Sequence, residues 1–326
     1  MGLTTQSPGT VLVTGAGGFI GRALCAHLKQ TGVTHVGAVR AVEQEAHRDG
    51  SFIALGDFAA ADWDAALAGV DGVVHLAGRA HVMREADAQS ATPYVVANVH
   101  VTRRLAEAAA RVGVRRIVFA SSVKVYGEAT RPGQPFRFDD APAPQDAYAR
   151  SKADGESVLR EICGENGVEA VILRLPLCYG PGVGGNFLAL LEAVAAGRRL
   201  PLGGIDNRRS LLYLGNAVSA IEAALHAPAL AGQTLPVADA ESVSTSGLIE
   251  RLAHALQVPA RSFRVPGVAL LGMSSLAGRR AEVSRLLGSL EVDTTRFREL
   301  AHWSPPHSLD EGLAATAAWW RLQHTL

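Results

Sequence analysis

The chain is poor in cysteine, lysine and aromatic residues, and it has no long uninterrupted apolar run. Three of its 326 residues are cysteines, and aromatic side chains make up 6%. Cys25, Cys163 and Cys178 stand far apart, without a CxxC pair or a neighbouring histidine cluster. That spacing argues against a disulfide framework and a metal site, and predicts reduced, mostly buried thiols. The longest apolar stretch, VPGVALLGMSSLAG (265–278), is too short and too broken by Pro and Gly to span a bilayer. The opening MGLTTQSPGT has no charged segment leading into an apolar one, so no signal peptide is expected. Acidic and basic residues number 31 each, which argues against nucleic acid or an anionic membrane as partner. A soluble cytoplasmic protein is expected.

What is present is a repeating texture of short apolar strands and periodic helices. TVLVT (10–14) runs directly into glycines and then into FIGRALCAHLKQTG, which reads as strand, tight turn, helix. Further strands are expected at HVGAVR (35–40), SFIAL (51–55), GVVHLAG (72–78), RRIVFASS (115–122) and EAVILRLP (169–176), with a long helix over 92–113. Apolar strands alternating with helices predict an α/β fold, a doubly wound parallel sheet covered on both faces. After Pro176 the texture changes to mixed short elements. The expected division is 1–176 for the main domain and 177–326 mainly for a smaller C-terminal lobe, with the chain returning near 211–240.

VTGAGGFIG (13–21) places Gly15, Gly18 and Gly21 after a strand and at the start of a helix. Glycine lets backbone approach a pyrophosphate, and the helix start offers free N–H groups with partial positive charge. A dinucleotide site is expected there. The second predicted strand ends on Val39 and Arg40, with no carboxylate until Glu43. An acidic residue at that place suits the ribose hydroxyls of NAD, whereas arginine accepts the 2′-phosphate of NADP. NADP(H) is therefore favoured over NAD(H), the alternative being that Arg40 is a solvated surface charge.

Lysine occurs only at Lys29, Lys124 and Lys152, so its use four residues after Tyr148 is conspicuous. In a helix the two share a face one turn apart. A phenol titrates near ~10 and is a poor acid-base group at neutral pH unaided; a nearby ammonium favours its ionised form, and lysine can also hold ribose hydroxyls. Ser121 and Ser122 end a predicted strand, where ligands of doubly wound sheets bind, and offer a hydroxyl to orient a substrate oxygen.

Together with VLVTGAGGFIG, GD (56–57), HLAG (75–78), ANV (97–99), SSVKVYG, YARSK, LRLPLCYGPG and RRSLLYLGN, these residues resemble the extended short-chain dehydrogenase/reductases of the nucleotide-sugar epimerase/dehydratase group. The resemblance runs over nearly the whole chain and implies a Rossmann-type fold. It implies Ser122, Tyr148 and Lys152 as the catalytic group. It implies cofactor contacts from Gly15, Gly18, Phe19, Ile20, Gly21, Arg40, Asp57, Phe58, Leu76, Ala77, Gly78, Pro176 and the catalytic Tyr148 and Lys152, with Asn98 supporting the framework. Asn186 and Arg209 resemble groups that grip a nucleotide diphosphate, a task that suits a guanidinium fork; a capping Asn and a surface Arg are their alternatives. Arg79, His81 and Lys124 are candidate substrate-side residues, or surface charges near the site. A UDP-sugar substrate and a homodimer through the helices near 92–113 and 146–166 are likewise implied.

Dehydratases of this group carry an Asp-Glu pair after the catalytic hydroxyl, where this chain has Val123 and Lys124, so dehydration is not expected. Two reactions remain, a 4-epimerase and a one-way 4-keto reductase. The missing acidic residue on the second strand, with GRAHVMRE (78–85) and SSVKVYGE, tips the expectation toward reduction of a UDP-2-acetamido-4-keto-6-deoxyhexose. Leu177 stands where galactose epimerases carry a substrate-binding Asn. A non-catalytic regulatory dinucleotide binder is a remote alternative. Asp139 and Asp140, in the Pro-rich loop 127–146, read as solvated or capping.

Overall fold

A computed structural model describes residues 9–41, 51–80, 91–267, 269, 270, 272, 284 and 286–324. His81 and Glu43 lie outside the described residues. Seven strands form one sheet: β1 (Thr10–Thr14), β2 (His35–Val39), β3 (Phe52–Ala54), β4 (Val70–His75), β5 (Arg116–Ser122), β6 (Glu169–Leu175) and, returning from late in the chain, a strand at Thr234–Pro236. Their order is β3, β2, β1, β4, β5, β6 and then the returning strand, with every neighbouring pair parallel. The order reverses between β1 and β4, and the crevice beyond their carboxyl ends is where such sheets bind ligands.

Helices cover both faces because the strands are apolar on both. One face packs Leu12, Val73, Ile117 and Phe119 against α2 (Trp63–Ala66), α4 (Val101–Val112) and α5 (Ala147–Asn166). The other packs Val11, Val13, Val118 and Leu173 against α1 (Phe19–Gln30) and α7 (Leu214–His226). A separate apolar cluster around Tyr179, Phe187, Leu252 and Leu313 joins α6 (Gly185–Ala195), α8 (Thr245–Leu256) and a final helix, Leu309–His324. Beside it lies a three-stranded sheet of β7 (Leu177–Tyr179), β8 (Arg209–Tyr213) and Ser242–Val243.

The helix expected over 92–113 runs from Thr92 to Val112 and carries one irregular turn. α3 (Thr92–Val95) leads through a wide π turn, Val96–His100, into α4. Asn98 sits in that turn at 1% exposure, and its carbonyl accepts from Thr102 Oγ1 at 2.8 Å. The turn thus holds a buried polar side chain, and such π turns are frequent at functional sites.

Candidate active site

Gly15 closes the turn after β1 at φ +68°, a left-handed conformation that suits glycine. Its carbonyl accepts from Gly18 N–H at 2.9 Å, and a Cβ on Gly21 would lie 2.2 Å from that same carbonyl oxygen. The backbones of turn and helix are thus in contact, with no room for any other residue at 21. α1 starts after Gly18 without a side-chain cap, leaving its first N–H groups directed out of the helix start. These observations fit the pyrophosphate of a dinucleotide. Arg22, which the sequence reading missed, donates Nη1 to the Gly17 carbonyl at 2.8 Å and braces the turn. Across the crevice, Ala77 N–H donates to Thr14 Oγ1 at 3.1 Å, tying β4 to β1.

The other expected cofactor positions ring this crevice unevenly. Phe19 and Ile20 open α1 and are half-buried; Leu76 is half-buried, and Ala77 and Pro176 are buried. Arg40 is exposed just beyond the end of β2. Asp57 is exposed and accepts from Ala59 N–H at 2.9 Å. Phe58 is buried edge-on against Trp63, their centroids 5.4 Å apart, so its ring belongs to the core.

α5 carries the proposed chemistry. Asp146 caps it, accepting from Ala149 N–H at 2.7 Å. One residue into the helix, the Tyr148 phenol is hydrogen-bonded to the Ser122 side chain, and burial pushes it up to about 12. The Ser122 bond opposes that rise, while Cys178, Asp146 and Tyr94 add to it. The Lys152 ammonium is buried, donates to the Ala120 carbonyl at 2.8 Å and lies 4.6 Å from the Phe119 ring centroid. Burial lowers it to about 8. Here desolvation of Tyr148 dominates and the ammonium is engaged by a strand carbonyl, so the acidifying role expected of Lys152 is carried forward as a proposal. Ser121 and Ser122 separate cleanly, since Ser121 donates to Glu156 instead.

Asn98 binds this group together. Its Oδ1 accepts from Arg79 N–H at 2.8 Å, and its amide donates to the Arg79 carbonyl at 3.1 Å and to Ser151 Oγ at 2.9 Å. A Cβ on Gly78 would meet Asn98 Oδ1 at 2.7 Å and Lys152 Nζ at 3.4 Å. Asn98 therefore serves as a brace between the β4 loop and α5, and the absence of a side chain at Gly78 leaves room beside Asn98 and the Lys152 ammonium. Tyr94, absent from the sequence reading, packs edge-on to Tyr148 with centroids 6.3 Å apart.

On the substrate side the expectations divide. Arg79 lies 5.7 Å from the Tyr94 ring centroid, close to Tyr148. Lys124 is an anchor: its ammonium pairs with Glu128 at 3.0 Å and Asp146 at 2.8 Å. Two carboxylates of the chain hold its charge, which favours its alternative reading, a charge near the site. Arg209, at the start of β8, donates to the Gly288 carbonyl at 3.1 Å; burial lowers its pKa, and Glu128 opposes this. Asn186 is exposed in the first turn of α6. Leu177 is 46% exposed beyond Pro176. Asp139 and Asp140 both bind Arg137, through its Nε and its N–H, as local loop ties.

A doubly wound parallel sheet with a glycine turn at β1 and a Ser–Tyr–Lys group at β5 and α5 defines an extended short-chain dehydrogenase/reductase. The chain belongs to the NAD dependent epimerase/dehydratase family, whose model matches residues 11–237. It is 37% identical over 316 residues to a UDP-glucose 4-epimerase of Vibrio cholerae, covering 96% of this chain and 95% of that one. Among solved structures it resembles MoeE5 in complex with UDP-glucose and NAD, at 25% identity and TM-score 0.78, over 97% of this chain and 99% of that one. The fold is also shared with a UDP-glucuronic acid 4-epimerase from Bacillus cereus, at 23% identity, TM-score 0.80 and 97% coverage of both chains. Among the described residues no helix is long and apolar enough to cross a membrane.

Proposed function

We propose that this protein is a UDP-sugar 4-epimerase that works with bound NAD. The observation that carries the reading is the Tyr148 phenol hydrogen-bonded to Ser122, with Lys152 one helical turn away, beside the glycine turn of β1. The full-length likeness to the Vibrio cholerae 4-epimerase supports inversion at C4 over one-way reduction, and the NAD and UDP-glucose held by MoeE5 support the cofactor and substrate class.

The dinucleotide, when bound, supplies reversible two-electron oxidation of the C4 carbinol. Gly15, Gly18, Gly21 and the start of α1 would hold its pyrophosphate. Tyr148 takes the proton of the C4 hydroxyl and returns it from the same oxygen, and Ser122 aligns the hydroxyl being oxidised. The phenol is held protonated by burial, so acting as base requires a cation beside it, for which Lys152 is placed one turn away. Arg209 and Asn186 are assigned to the diphosphate; Arg209 suits it because its guanidinium is largely desolvated and held in place by the Gly288 carbonyl. No acid-base pair follows Ser122, where Val123 is buried and Lys124 is ion-paired, so elimination of water is not part of the reaction.

The one-way 4-keto reductase is the second reading, favoured by Arg40 at the end of β2, which suits NADPH. The experiment is incubation of the purified protein with UDP-glucose, UDP-GlcNAc and a UDP-4-keto sugar. Interconversion at C4 without added cofactor supports the epimerase. Stoichiometric oxidation of added NADPH, with no interconversion, would replace it by the reductase.

A further inference from the structure

Three side chains of α5, at four-residue spacing, meet three consecutive residues at the end of β5. Lys152 donates to the Ala120 carbonyl, Glu156 accepts from Ser121 Oγ, and Tyr148 is hydrogen-bonded to Ser122. Glu156 is the member of this stripe with no role in the reaction described so far. It is fully buried. Its partner comes from β6, where Arg174 stands in register with Ser121. Arg174 is 3% exposed and donates Nε to one carboxylate oxygen at 3.0 Å and Nη2 to the other at 2.6 Å. Arg160 adds a longer contact at 3.4 Å. A buried ion pair of this kind is weak evidence for stability, since apolar replacements are often no less stable. Its placement beneath the reacting groups points to another use.

We propose that Glu156, held by Arg174, is a positioning residue: it fixes Ser121 and so the strand end carrying Ser122, and it keeps the adjoining Lys152 charged. The inference rests on the Tyr148–Lys152 chemistry set out above. The groups around Lys152 leave this task to Glu156. β4 contributes His75, which burial and Lys152 itself drive down to about 3, so it stays neutral. The loop after β4 brings Gly78 and carries Arg79; β5 contributes the Phe119 ring and the Ala120 carbonyl; β6 contributes Arg174, bonded to Glu156. On α5 itself Tyr148 is protonated. Burial lowers Lys152, and Glu156 opposes it.

The scarcity of lysine makes the test direct. Protein labelled with 13C at lysine Cε gives signals only from Lys29, Lys124 and Lys152, and Lys152→Met identifies the third. In the wild type that signal titrates with a midpoint near 8. In Glu156→Gln the midpoint falls by roughly one pH unit, the alkaline limb of kcat moves down with it, and Glu156→Asp restores both. Should Glu156→Gln not fold, Arg174→Gln keeps the carboxylate hydrogen-bonded and removes the opposing cation, and the Lys152 midpoint rises instead. An unshifted Lys152 midpoint in the folded variant overturns the proposal. Absence of C4 interconversion by the wild type overturns the functional reading instead, and leaves the titration to judge Glu156.

Discussion

The Lys124 ammonium lies 2.8 Å from one carboxylate oxygen of Asp146, and the other oxygen of that carboxylate caps α5 through the Ala149 amide at 2.7 Å. One side chain thereby ties the segment after β5 to the start of the helix that bears Tyr148. Lys124→Met is expected to leave KM for the UDP-sugar within about twofold while lowering thermal stability. Asp146→Asn is expected to cost roughly 1 kcal/mol through the weakened cap and ion pair. Thermal melts and steady-state kinetics on both variants check this; a large rise in KM for Lys124→Met alone would return that residue to the substrate site.

Tyr148→Phe removes the proton carrier and keeps the ring against Tyr94. Activity is expected to fall by about 10²- to 10⁴-fold, the usual contribution of a positioned acid-base group, with NAD affinity within a fewfold of wild type. Ser122→Ala should lose less, since it aligns the proton transfer without carrying it. Single-turnover rates and calorimetric binding separate these effects.

Lys152 should make stability depend on pH in an unusual direction. Its pKa is lowered from 10.5 to about 8 in the folded protein, so between those values the unfolded chain binds a proton that the folded one does not. Stability therefore rises with pH through that window. Lys152→Met, which lacks the buried charge, is expected to exceed the wild type by up to about 3 kcal/mol at pH 7. The gap should close by pH 10.5. Urea unfolding of both proteins without cofactor at pH 7, 8.5 and 10 measures it, and a gap that does not vary with pH would contradict it.

Gly21→Ala forces a methyl group to 2.2 Å from the Gly15 carbonyl oxygen and 2.8 Å from Ala16 Cα. Both are main-chain atoms, so no side chain can move aside. Loss of detectable NAD binding is expected, with a destabilisation of roughly 1–3 kcal/mol from the overpacking. Fluorescence titration with NADH and denaturant unfolding give the two readings.

The thiols should be inert while the protein is folded. Burial raises Cys25 to about 11 and Cys163 and Cys178 to about 12, and only the thiolate reacts readily. Iodoacetamide at pH 8 is expected to label none of the three within minutes, and all three after unfolding in guanidinium. Rapid labelling of Cys178 in the native protein, read by mass spectrometry, would show that the pocket beside Tyr148 opens.

The glycine turn was legible in the sequence because backbone contact demands glycine and almost nothing else. Gly15 and Gly21 touch main chain in the structure as their spacing implies. The apolar strands were legible because a sheet covered on both faces needs unbroken hydrophobic runs, and Tyr148 and Lys152 because a helix repeats every 3.6 residues. Local periodicity carries no information about partners that arrive from another element. It could not show that Lys152 meets the Ala120 carbonyl, that Lys124 is held by Asp146, or that Glu156 faces Arg174 across 18 residues. The π turn that carries Asn98 was hidden for the same reason, since its benefit lies in Arg79 and Ser151, 19 and 53 residues away. Composition and spacing thus determined the fold class and the short motifs, where the constraint lies within one turn or one strand. Tertiary packing decided which charges are buried together, because the energy of a buried ion depends on the partner that reaches it through space.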